Sequence, residues 1–398
     1  MDYSTGADGL PHDAAGFVFE VQSLYAYLLE IADRRKRRGC RYPLALILLL
    51  VVLAKLGGED KPQGIADWAR ARAGLFVTAF GLARPGLPCA NTYRNTLRDT
   101  VPVDDLEAHL RRFLAQLPRP GPGSQIALDG KTLRGTIPTG DNQGLHLLAA
   151  YGPAQGLVLQ QVAVDGKENE ISAAPRVLEA LDLRGKVVTG DAMFAHRGLS
   201  KQIVAAGGDY VWTVKDNQPQ LRADIAELFT PTVSLSKGFN TGPTDFRQAQ
   251  SIDLGHGRIE KRRLTASSEV HGLSDWPGLA QVFRVERQTR VVAHGKTRSE
   301  VAYGVTSLSP QAASAEHLLQ LVRQHWSIEN GLHYRRDVTF HEDAGQMKDW
   351  PMAQALAAIN NLVLAILLHA GHTNIAQARR HYGAHPDEAL RLVSTCPI

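Results

Sequence analysis

Apolar residues follow three different spacings along the chain, and each predicts a different kind of element. They run almost unbroken over 43–54 (PLALILLLVVLA), and a second run covers 362–370 after Asn360 and Asn361. Both runs are too short to span a bilayer and read as helices buried on every side. The rest of 15–117 reads as helical, with short Gly/Pro breaks. The hexapeptide PRPGPG at 118–123 cannot continue a helix and marks a linker.

Beyond the linker the spacing changes. Short apolar strands are expected at 125–128, 146–151 and 157–164, a helix at 169–181, a strand at 186–189, a helix at 198–206 and a strand at 209–214. Three meander strands followed by alternating helices and strands imply a mixed α/β sheet with helices packed on it. After Pro219 the pattern alternates, as at 282–284 and 301–305, with His-Gly turns at 256–257 and 294–295. That predicts an antiparallel β-rich insertion. A long helix then starts at Ser314, a good N-cap, and runs through Arg335. The expected organisation is a disordered 1–14, a helical region 15–117, the linker, a first core segment 124–217, the insertion 218–310, and a helical segment 311–398 that completes the core.

Composition adds limits. With 398 residues, 44% hydrophobic and 21% charged, the chain is an ordinary globular protein of two or three domains. Its net charge of +4 permits a nucleic-acid partner without requiring one. Residues 1–32 hold five acids and no Lys or Arg, whereas 33–118 hold fifteen Lys/Arg against eight Asp/Glu, a net of +7. Most concentrated is Arg34, Arg35, Lys36, Arg37, Arg38 and Arg41, where phosphate binding is favoured over a merely solvated charge run. The three cysteines, Cys40, Cys89 and Cys396, lack metal-ligand spacing, so a reducing compartment and no structural zinc are expected. No segment reads as a targeting signal or a membrane span, so a cytoplasmic location is expected. No Gly-rich phosphate loop is present, and no ATP use is expected.

Three short phrases carry candidate chemistry. ALDGK (127–131) and VVTGDAMF (187–194) each deliver one acid, Asp129 and Asp191, from an apolar strand beside a glycine. A turn Asp and a helix N-cap are the plain alternatives. An acid in so apolar a setting needs a partner, and a metal ion would serve. On the long helix, HWSIENGLH (325–333) puts His325, Glu329, His333 and, further on, Arg336 on one face, with Leu319, Val322 and Trp326 on a buried one. An exposed ion-pair member is the plain reading of Glu329 alone. Together, two acids on strands and one on a helix suit Mg²⁺ or Mn²⁺ in a two-ion site on a ribonuclease H-like sheet. Lys131, Arg134 and Lys215 lie near strand ends and could face DNA. Tyr210, Trp212 and Val214 alternate on one strand face and are expected in the core.

These phrases, with RRKRRGCRYP (34–43), ALDGKTLRG (127–135), DYVWTVKDNQ (209–218), DVTF (337–340) and EDA (342–344), resemble the insertion-sequence transposases of the H-repeat-associated type, within the DDE superfamily. The resemblance covers nearly the whole chain after residue 15. It implies Asp129, Asp191 and Glu329 as catalytic and metal-binding acids, successive acids being 62 and 138 positions apart. The long second gap fits a β-rich insertion. The implied activity is metal-dependent DNA nicking and strand transfer. The implied partners are double-stranded DNA, meaning the element's own terminal inverted repeats and its target, with a homodimer as one assembly open to it. His325, His333 and Arg336 are expected to meet phosphates near the scissile bond. Related cut-and-paste enzymes carry Tyr, Arg, Glu and Lys around the third acid, where this chain has Val322, His325, Glu329 and Arg336. A plain nuclease and a domesticated DNA-binding protein remain the alternatives.

Overall fold

The computed structural model describes residues 4–5, 11–12 and 23–394, apart from 37, 39, 83–84, 118–120, 122, 167, 231–244, 256 and 271–274. Most of the disordered-terminus expectation and of the linker lies outside those residues. Within 1–14, Ser4–Thr5 (β1) and Pro11–His12 (β2) form a short antiparallel pair.

The remaining strands form a single sheet. They are β3 (Gln125–Thr132), β4 (His146–Gly152), β5 (Leu157–Val164), β6 (Val187–Gly190), β7 (Asp209–Val214), β8 (Arg247–Gly255), β9 (Arg258–Ser267), β10 (Gln281–Val291) and β11 (Thr297–Thr306). The order is β5-β4-β3-β6-β7-β11-β10-β9-β8. β3, β4 and β5 are an antiparallel meander, and β6 and β7 then run parallel to β3. This is the five-stranded ribonuclease H-like arrangement. The β-rich insertion is not a separate sheet: β11 pairs antiparallel with β7 and carries β10, β9 and β8 outward. Gly257 and Gly295 have positive φ in the two expected hairpin turns, where a Cβ would be strained.

Alternation along β3 sorts its side chains onto two faces. Ile126 and Leu128 join Val188, Tyr210 and Trp212 in a core closed by α7 (Glu170–Glu179) and α8 (Arg197–Ala205). Gln125, Ala127, Asp129 and Lys131 look the other way. That second face is covered by α10 (Ala315–His325), its continuation to Thr339, and α11 (Trp350–His369). Ser314 caps α10 as expected, its side chain accepting from His317 N.

Among the described residues, six α-helices precede the sheet: α1 (Leu24–Leu29), α2 (Leu44–Leu56), α3 (Pro62–Ala71), α4 (Ala73–Ala79), α5 (Ala90–Asn95) and α6 (Val103–Leu114). They do not build a core of their own. One apolar cluster joins them to α11, α12 (Ile375–Ala384) and α13 (Pro386–Ser394). α11 is long and apolar enough by composition to cross a membrane, yet 83% of that stretch is buried inside the protein.

Candidate active site

Asp129 does not end its strand. β3 continues through Thr132 because Asp129–Thr132 pair with Ala149–His146 on β4. The parallel register sets Ala127 beside Thr189; Asp129 lies two residues further along β3, Asp191 follows the last residue of β6, and both carboxylates act on His325. Asp191 leaves β6 in extended conformation and caps a short turn, its Oδ1 accepting from Met193 N at 2.8 Å. The glycine before it is sterically required: a Cβ on Gly190 would lie 2.8 Å from both Phe194 and Trp212.

The long helix meets β3 residue by residue. The Gln125 amide donates to Leu321 O (2.9 Å) and to Thr189 Oγ1 (2.7 Å), and Thr189 Oγ1 lies 3.3 Å from His325 Nδ1. Further along, His333 Nε2 is 3.1 Å from Asp129 Oδ2. Then Lys131 Nζ reaches Asp337 at 2.6 Å. Burial pushes the His325 imidazole below its ordinary pKa, while the nearby Asp129 and Asp191 carboxylates pull it back up. His325 therefore sits at the acid pair.

Glu329 lies one turn from each of these histidines, is exposed, and has no side-chain hydrogen bond or ion pair among the described residues. Two π-type turns widen the helix here: the Tyr334 N–H reaches Glu329 O, and the Phe340 N–H reaches Arg335 O. Each i→i+5 bond puts more residues into a turn than the 3.6 of an α-helix.

Several expectations about which side chains face the site are corrected. Arg336 does not line up with Glu329 toward DNA. It is 1% exposed and gives its Nε to both Glu342 oxygens, at 2.9 and 2.8 Å, and its Nη1 to Gln161 at 3.0 Å. Lys131 is likewise consumed, by Asp337 and, at 3.8 Å, Asp343. His325 and His333 are each 6% exposed and face the acids instead of solvent. Trp326, expected in the core, is 49% exposed. Tyr210 and Trp212 are buried as expected.

The basic cluster is split. Arg35 is held by Asp33 and Tyr42 O, while Arg34, Lys36, Arg38 and Arg41 are exposed, Arg34 with only a 3.9 Å contact to Asp105. Arg37 lies outside the described residues. Arg134 and Lys215 are exposed. Reasoning from sequence missed Gln125 and Thr189, which tie the helix to the two acid-bearing strands. Their signal is faint: a polar residue two or four positions before each Asp, on its face of the strand.

Comparison with known proteins places the chain in a family. Residues 120–366 match the family described as "Transposase DDE domain", and residues 25–114 match the one described as "DDE_Tnp_1-associated". The chain belongs to the DDE transposase family, in the H-repeat-associated group that its motifs resemble. The protein named "Putative transposase YncI" of Escherichia coli O157:H7 is 30% identical over 359 residues, spanning 87% of each chain. "H repeat-associated putative transposase YhhI" of Escherichia coli K12 is 28% identical over 355 residues, 87% of this chain and 91% of that one. Among solved structures, a piggyBac transposase synaptic complex with hairpin DNA aligns over 94% of this chain and 78% of its own. Its TM-score of 0.40 and 11% identity are too low to inform the fold or the site.

Proposed function

We propose that Asp129, Asp191 and Glu329 are the catalytic carboxylates of a transposase that hydrolyses phosphodiesters at its element's ends and transfers the freed strands to target DNA. The observation that carries this is the state of the acids. Asp129 and Asp191 stand side by side with no Lys or Arg partner among the described residues, whereas Asp337, Asp343 and Glu342 nearby are all paired with cations. Two adjacent carboxylates repel unless a cation lies between them.

The donor set fits Mg²⁺ or Mn²⁺, since hard oxygen ligands select those ions. Asp129 and Asp191 would hold two ions, with Glu329 closing the site from the helix. When bound, such ions lower the pKa of an attacking water or 3′-hydroxyl and neutralise charge on the leaving oxygen. The rest is done by this chain's own groups. His333 donates to Asp129 Oδ2 and fixes its orientation, leaving Oδ1 free. Gln125 and Thr189 fix the distance between helix and strands. Arg134, Lys215 and the exposed residues of the basic cluster supply phosphate contacts on double-stranded DNA. A cytoplasmic, nucleoid-associated protein follows from that partner.

The test is incubation of purified protein with its own element ends and Mg²⁺, with nicks mapped to the nucleotide. Asp129→Asn, Asp191→Asn and Glu329→Gln should each slow nicking about 10³-fold or more, the scale of several kcal/mol of charge stabilisation. DNA affinity should change less than about threefold, because the basic residues carry it. Full nicking by Asp191→Asn would overturn the assignment, and full nicking by Glu329→Gln would move the third acid elsewhere.

A further inference from the structure

The C-terminal pair of helices carries a cluster that plays no part in the acid site. His381 is on the outer face of α12, His385 caps its end, and Glu388 is in the first turn of α13. Pro386 starts α13 directly after His385, so the chain folds back and Glu388 returns over His381. His381 Nε2 lies 2.7 Å from Glu388 Oε2. The two imidazoles stack at 4.6 Å with 27° between their planes. One ligand-capable atom from each of the three residues lies within 4.8 Å of the others.

We propose that His381, His385 and Glu388 form a binding site for a borderline transition-metal ion, Zn²⁺ by preference, distinct from the Mg²⁺ site of the acids. Two imidazoles and one carboxylate are a recurrent three-ligand set for zinc, with water in the fourth position. Mg²⁺ is a poor fit, because it seeks oxygen ligands in an octahedron. Surface His–Glu pairs are common without metal, so the deciding observation is the state of His385. Its Nδ1 is 3.0 Å from the His381 carbonyl oxygen. A carbonyl can only accept, so Nδ1 carries the proton and Nε2 keeps its lone pair. A ring N–H anchored on a backbone carbonyl is how ligating histidines are commonly held. His381 is steadied by its edge-on contact with the buried Tyr382, at 5.1 Å.

With metal–ligand bonds near 2.1 Å, tetrahedral ligand atoms sit roughly 3.4 Å apart. The His381–Glu388 pair, at 2.7 Å, therefore has to open by about 0.7 Å, a side-chain adjustment at an exposed position. The proton that His381 Nε2 donates in that hydrogen bond moves to Nδ1 when Nε2 becomes a ligand, so the ring stays neutral. The ion would clamp α12 to α13. On the same helix, Arg379 already anchors Lys55 O and Asp60, so the clamp would lock the closure of the N-terminal helices.

The test uses the full chain carrying Asp129→Asn and Asp191→Asn, which removes the catalytic acids from ion binding. Zn²⁺ is titrated by calorimetry in millimolar Mg²⁺, Co²⁺ is followed by its visible absorption, and melting is recorded with and without Zn²⁺. One Zn²⁺ per chain should bind, with tetrahedral Co²⁺ bands and a raised Tm. His381→Ala with His385→Ala should weaken binding about 100-fold and abolish the Tm rise. Glu388→Gln, which leaves both helices intact, should weaken it about tenfold. No saturable binding, or unchanged affinity without both histidines, would overturn the proposal.

Discussion

Arg336 and Glu342 form the most enclosed ion pair beside the acid site, with side chains 1% and 7% exposed. Asn360 also donates to Glu342, at 2.7 Å. Glu329, thirteen residues earlier in the chain, is exposed and unpaired. The two glutamates are equal candidates by residue type, and their environments separate them. Glu342→Gln strands a buried guanidinium and should lower unfolding free energy by about 3–5 kcal/mol, read from urea denaturation. Glu329→Gln should leave stability within about 0.5 kcal/mol, because Glu329 is exposed and has no side-chain hydrogen bond or ion pair among the described residues. The reverse result would make Glu342 the functional acid and Glu329 the structural one. Asp129 and Asp191 were legible in the chain as acids delivered by apolar strands. Their lack of a Lys or Arg partner was not, since every cation that could have paired with them arrives from elsewhere in the fold.

Among the elements, strands were read more accurately than faces of the long helix. β5 and β7 fall where alternation and apolar runs predict them, because a buried strand has little freedom to be anything else. The helix from Ala315 was also legible, but its face assignments were not. An α-helical count puts Arg336 with Glu329, and the π-type turn between them undoes that; Trp326, which caps α10 before the turns, is exposed where the same count hides it. Hydrogen-bond slippage of that kind leaves no mark in residue spacing.

A second effect at this scale lies between α6, β5 and α11. Gln161 donates to Glu107 Oε1 at 3.1 Å, and burial pushes the Glu107 carboxyl up to about 7 from an ordinary 4.5. The folded state therefore holds a proton that the unfolded state releases. Stability should be highest below about pH 4.5 with respect to this group and fall by up to about 3 kcal/mol as pH rises to about 7. Glu107→Gln should flatten that slope in denaturation curves at pH 5, 6 and 7. An unchanged slope would show that Glu107 is solvated.

Over the whole molecule, the change of composition at 118–123 is a boundary in the chain and not between two cores. Lys55 and Asp60 from the N-terminal helices meet Arg379 of α12 in a buried ion cluster, with Asp60 2.7 Å from Arg379 and 3.4 Å from Lys55. Residues 124–398 expressed alone should consequently expose the apolar surface of α11 and aggregate. A monodisperse, cooperatively melting fragment would contradict the shared core. DNA binding belongs to this scale too. Neutralising the exposed Arg34, Lys36, Arg38 and Arg41 together should reduce the slope of log affinity against log salt by about 0.9 for each phosphate that is no longer neutralised. An unchanged slope would mean that the cluster only faces solvent.

What the chain determined by itself is what local physics can write: where strands and helices lie, that two acids are delivered by apolar strands, and which family those phrases resemble. Spacing and residue type decide such things because they act within a few residues. Tertiary structure alone decided the pairing. Strand register set Asp129 beside Asp191, π-type turns chose which helix residues face them, and a core spanning both ends of the chain joined the helices that a linker divides. Those outcomes depend on contacts between residues up to more than three hundred positions apart, such as Arg379 with Lys55, and no local pattern encodes them.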